Sequence, residues 1–138
     1  MPTQDEADAI VAAIKVITQN VVWRQVRSRF RNYRIEANVL IPERDELARL
    51  AGHVGKTNFN FSLLYGNEPI RRCHKGFEHR NPDGSKVTGI HKHIWDDEEE
   101  DRWAYEPESF PDDPNRAFLE FLDECNIELR GNYQPFLG

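Results

Sequence analysis

The chain has 138 residues, of which 38% are hydrophobic, 11% aromatic and 30% charged. These values fit one folded domain with a modest core and exclude a disordered chain. A net charge of −6 argues against a protein that coats nucleic acid, and two cysteines exclude a disulfide framework. No apolar run approaches the roughly 18–20 residues of a membrane span. The start, MPTQDEADAI, lacks the charged and apolar regions of a signal peptide. A single cytoplasmic domain over 1–138 is expected, with no membrane partner.

In chain order, Thr3 and Glu6 have the spacing of a capping box. Ala7, Ile10, Val11, Ile14, Ile17 and Val21 then recur at helical spacing and predict a helix from about 4 to 21. After it the period changes to two, and strands are expected near 23–31, 33–41, 47–52, 57–65 and 69–75. TNFNFSLLY shows the alternation well: Phe59, Phe61 and Leu63 share one face, and Asn58, Asn60 and Ser62 the other. His53 stands alone between Gly52 and Gly55 and reads as a loop residue. Asn81-Pro82-Asp83-Gly84 suits a type I turn, with Pro at the second position and Gly free to take positive φ at the fourth. The strands beside it are expected at 69–77 and 87–95.

Asp96–Asp101 reads as an exposed acidic loop and Arg102–Tyr105 as a short edge strand. Asp113 before Pro114 is a helix start. Ala117, Phe118, Phe121, Leu122 and Cys125 make the apolar stripe of a second helix, and the tail from Gly131 reads as irregular. The expected fold is α+β: an N-terminal helix, an antiparallel meander of about five to seven strands, and a C-terminal helix packed on the sheet.

Three of five histidines fall between His79 and His93. In a strand from Gly89 to Trp95, His91 and His93 share the face opposite Ile90, Lys92 and Ile94. The isoleucines suit the helix-packed face, which leaves the histidines on the open one. On the partner strand Arg72 and His74 share a face. One chemistry for such a group is metal-free acid–base cleavage of RNA, since imidazole has both protonation states available near neutrality. Arg72, Arg80 or Arg102 would then neutralise phosphorane charge. A second is a His-liganded zinc site. The third is no chemistry at all, only histidines with satisfied hydrogen bonds. Cys73 and Cys125 read as structural thiols.

Charge is uneven along the chain. Residues 1–69 carry 9 Lys/Arg against 8 Asp/Glu, and residues 70–138 carry 9 against 16. In WRQVRSRFRNYR, Trp23 to Arg34, five arginines occur with no acid. On a strand Arg27, Arg29 and Arg31 would share a face that meets RNA phosphate, the chain's own acidic half, or water. The acidic half could itself imitate nucleic acid for a basic protein partner, such as a defence-system protein.

The residues Arg72, then His79, Asn81, Pro82, Asp83 and Gly84, then His91, His93 and Trp95, then Trp103-Ala104-Tyr105 and Cys125-Asn126-Ile127 resemble the signature of a small bacterial family. That family is found on prophages and other mobile elements. More loosely, the hairpin with its His91-Lys92-His93 is similar to TumE-type toxins of toxin–antitoxin pairs. The resemblance implies a toxin-like, metal-independent endoribonuclease without cofactor, with a protein antitoxin as partner. With it, the expected roles are His91 and His93 as the acid–base pair, His79 as third member or substrate positioner, Arg72 as phosphate clamp, and Asn81–Gly84 holding the hairpin register. His74 stands where the family has Asp.

Overall fold

Thr3 begins the first helix as the capping box predicts: its Oγ1 accepts from Glu6 N at 3.1 Å, and α1 spans Gln4–Ala12. The computed structural model describes residues 2–26, 32–76 and 78–137. The helix stops well short of residue 21. Ala13 turns extended, and Lys15 folds its ammonium back onto the carbonyl oxygens of Ile10, Val11 and Ala13 at 2.5, 2.9 and 2.6 Å. A buried cation thereby satisfies carbonyls that a helix end leaves without partners. Lys15, Val16 and Ile17 then pass into a strand, as β-branched residues favour. Ile14, expected in the helical stripe, is exposed.

The strands are β1 (Lys15–Ile17), β2 (Val21–Val22), β3 (Arg24–Val26), β4 (Asn32–Ile41), β5 (Glu46–Val54), β6 (Phe59–Tyr65), β7 (Glu68–Lys75), β8 (His79–Arg80), β9 (Lys86–Val87), β10 (His91–Asp96) and β11 (Glu100–Tyr105). Helix α2 (Pro114–Glu124), β12 (Ile127–Leu129) and β13 (Tyr133–Gln134) complete the chain. A nine-stranded sheet runs β11-β10-β7-β6-β5-β4-β1-β12, with β3 also paired to β4. The fold is α+β as expected, with more strands. The meander from β4 through β7 is antiparallel, whereas β12 joins β1 in parallel. The tail is not irregular throughout, because β13 pairs in parallel with β2. The arginine strand expected at 23–31 is described only through Val26; Arg27, Arg29 and Arg31 lie outside the described residues.

Register separates the two faces of the sheet. Lys92, Cys73 and Phe61 lie opposite one another on β10, β7 and β6. Phe61 meets Phe118 and Phe121 of α2, and Lys92 pairs with Glu124 at its end. This is the core face. Helix α2 begins at Asp113, which accepts from Arg116 N at 3.0 Å ahead of Pro114. Asn126, just past its end, donates to Ala12 O and ties the two helices together. Gly52 completes this face: a Cβ there would stand 2.6 Å from Ile35 and 3.2 Å from Phe61 and Trp23. No helix among the described residues is long and apolar enough to cross a membrane.

Candidate functional site

His91 and His93 alternate with Lys92 on β10 and so project to the face opposite α2. The antiparallel register sets His74 of β7 against His91, and Arg72 against His93. His79 arrives from a different direction. Between β7 and β10 the chain leaves the sheet as a small β8–β9 hairpin, closed by the predicted turn with Gly84 N donating to Asn81 O at 2.8 Å. Gly84 has φ +89°, the left-handed value its position asks for. Asn81 also reaches beyond the turn it begins. Its side chain docks on the free edge of β11, with Oδ1 accepting from Ala104 N at 2.8 Å and Nδ2 donating to Ala104 O at 3.0 Å. The docked hairpin lays His79 over the other rings.

The four imidazoles form one cluster. Ring centroids stand 4.5 Å apart for His79–His93, 5.1 Å for His91–His93, 5.1 Å for His74–His91 and 5.8 Å for His79–His91. The expected open position is corrected in one respect: His91 and His93 are each only 1% exposed, beneath a hairpin rather than facing water. His74 and His79 are half-buried at the margin.

Backbone carbonyls set the tautomers, because a carbonyl only accepts. His93 Nδ1 donates to Asp101 O at 2.8 Å and His91 Nδ1 to Gly89 O at 3.2 Å. Both Nε2 atoms therefore carry a lone pair. That of His93 lies 3.3 Å from Arg72 Nη2, which donates to it. That of His91 is buried with no hydrogen-bond partner among the described residues. His79 donates through Nε2 to Arg102 O at 2.6 Å, which leaves the lone pair on its Nδ1. Burial is the main cause of lowered basicity: it pulls His93 down to about 3 and His74 down to about 4, and lowers His91. The neighbouring Arg72 and the other imidazoles push the same way. These shifts favour the neutral form of all three rings, which weighs against the imidazolium that an acid–base pair of His91 and His93 needs.

The arginines divide. Arg72 joins the cluster, its charge faced by Asp101 at 3.6 Å. Arg80 bonds locally to Gly84 O, and Arg102, 71% exposed, pairs with Glu99 at 3.7 Å. Neither is placed on the rings. The acidic run is no free loop. Asp96 caps the amides of Glu98 and Glu99, Asp97 accepts from Gln4 N at the start of α1, and Asp101 belongs to the site. Both thiols are buried, and burial pushes Cys73 and Cys125 up to about 12.

Sequence reasoning gave His74 no role, and it took His53 for a loop residue. His53 lies on β5, between Arg34 of β4 and Asn60 of β6, and Asn60 lies opposite His74. A polar row, Arg34–His53–Asn60–His74–His91, thus crosses five strands. Alternation within each segment assigns these residues to faces, and only strand order and register bring them into line.

Residues 3–127 match the model of a family of unknown function, DUF6978, and the chain belongs to that family. No curated protein and no solved structure matches the chain.

Proposed function

We propose that the protein is a metal-dependent hydrolase of the cytoplasm, with a zinc-type ion held by His74, His91 and His93. The carrying observation is the convergence of one ligand atom from each of these rings, all within 4.8 Å of one another. Ligand nitrogens about 2.0–2.1 Å from a tetrahedral ion stand about 3.4 Å apart, so modest rotamer closure completes the site. The orphaned Nε2 of His91 supports this reading, since a buried lone pair without a partner is costly unless something binds it. The carbonyls of Gly89 and Asp101 support it too: a ligating imidazole characteristically donates its other N–H to such a group, which fixes its orientation.

His74, His91 and His93 would hold the ion, and a zinc-type ion on three imidazoles would supply an activated water as nucleophile at neutral pH. His79, half-buried at the margin of the cluster, would serve as the proton carrier between that water and solvent. With an ion on His93 Nε2, Arg72 would lose its bond to that atom and keep Asp101 as its partner.

The metal-free alternative keeps His79, His91, His93 and Arg72 as the working set for RNA cleavage. It is favoured by Arg72 beside His93 and by the likeness to TumE-type toxins. The burial of both proposed partners, and the neutral form it favours, weigh against it.

Metal analysis after dialysis separates the two readings. One equivalent of zinc per chain is expected, lost in His91→Ala and His74→Ala. RNA cleavage by zinc-free protein, unaffected by His74→Ala and abolished by His91→Ala, would establish the alternative instead.

A further inference from the structure

The polar row that ends at the histidines continues away from them as a groove. At about 4.8 Å per strand, four strand spacings carry it about 19 Å from β10 to β4. A cavity of about 240 Å³ lies along it, lined in part by Arg34, Glu36, His53, Asn60 and Ser62. A second of about 670 Å³ shares Arg34 and Glu36 with it and adds Arg24, Asn38 and Arg49. The two adjoin, since Arg34, Ile35 and Glu36 line both.

Its chemistry is specific. Arg24, Arg34 and Arg49 form no ion pair among the described residues, although the chain carries a net charge of −6. Glu36 is the one acid among the described residues lining either cavity. Three guanidiniums against one carboxylate fit a ligand with repeated negative charge. Asn60, which lines the smaller cavity, adds the opposite demand: its Oδ1 has no hydrogen-bond partner among the described residues and, turned into the cavity, accepts from a donor. Phosphate oxygens accept from the guanidiniums, and they cannot donate to Asn60. A sugar 2′-hydroxyl can.

We infer that the groove binds single-stranded RNA, with phosphates on Arg24, Arg34 and Arg49 and a 2′-hydroxyl on Asn60. Delivery of the strand to a metal-bound water rests on the reading proposed above; binding in the groove does not. The smaller cavity is lined by Asn60, whose register partner on β7 is His74.

The test is fluorescence anisotropy with a labelled single-stranded RNA and the DNA of the same sequence, over a range of salt. The wild-type protein is expected to bind RNA more tightly than DNA. Three phosphate contacts at about 0.7 each give a log–log salt slope near −2. A variant with Arg24→Gln, Arg34→Gln and Arg49→Gln is expected to lose at least tenfold in affinity and most of the slope. Asn60→Ala is expected to keep the slope and lose the preference for RNA. Circular dichroism, thermal midpoint and zinc content of the variants check that fold and centre are intact. Equal binding by the triple arginine variant, equal affinity for DNA, or no salt-dependent binding by the wild type would each overturn the inference. Arginine-dependent RNA binding by a protein that takes up no zinc would leave the groove standing and remove the metal centre alone.

Discussion

Asn81→Ala tests whether the hairpin over the histidines is held as described. Asn81 is 7% exposed, and its amide makes both hydrogen bonds that an adjoining strand would otherwise make to Ala104 of the edge strand β11. Truncation removes these two bonds and a third, from Nδ2 to Ser85 Oγ at 3.2 Å, each contributing about 0.5–1.5 kcal/mol net, and leaves two backbone groups to be reached by water. The expected cost is about 2–3 kcal/mol. For a chain of this size roughly 3–4 °C is lost per kcal/mol, so the thermal midpoint falls by about 6–12 °C. Hydrogen exchange adds the local readout, since 2 kcal/mol corresponds to about 30-fold faster exchange at the Ala104 amide. His79 leaves Arg102 with the hairpin, and its ring moves off His93. Asn81→Asp keeps the acceptor for Ala104 N, loses the donor for Ala104 O, and falls between the two. A midpoint within 2 °C of wild type, or unchanged exchange at Ala104, would refute the docking.

Three further outcomes follow from the same geometry. For the metal-free protein, His93 is lowered to about 3, His74 to about 4 and His91 in the same direction, from about 6.5 in the unfolded chain. Between those values the unfolded chain binds more protons, so stability falls as pH drops below about 6.5, by up to about 1.4 kcal/mol per pH unit for each histidine. Urea midpoints at pH 7 and pH 5 measure this, and His93→Gln is expected to flatten the dependence. Lys15→Met removes the cation from three carbonyls at the end of α1 and is expected to cost about 3 kcal/mol by urea denaturation, with loss of helical signal. Arg72→Met is expected to tighten zinc binding by competition titration, because it removes a charge and a rival donor from His93 Nε2. Weakened binding would show that Arg72 supports the site.

How far the sequence reveals all this depends on which interactions are local. The alternation Phe59-Phe61-Leu63, the caps Thr3 and Asp113, and the Asn81–Gly84 turn are set by neighbours in the chain, and each is found where its pattern predicts. The end of α1 is legible only with Lys15 in place, since Ile14 and Ile17 continue the helical spacing. Likewise β12 beside β1 has no local signal, because parallel pairing joins segments more than a hundred residues apart. At the site, the pair His91 and His93 is visible as His-x-His. Their burial is not, because the cover comes from Asn81 gripping a strand edge. Nor is His74 visible as a partner, because its place opposite His91 is a matter of register.

The most direct test of the centre is a crystal of the zinc-loaded protein measured above and below the zinc absorption edge. A single anomalous peak within about 2.1 Å of nitrogens from His74, His91 and His93 is expected, with Arg72 still paired to Asp101. At saturating zinc, a peak held by other residues, or no peak while the four rings stay as they are, would contradict the account.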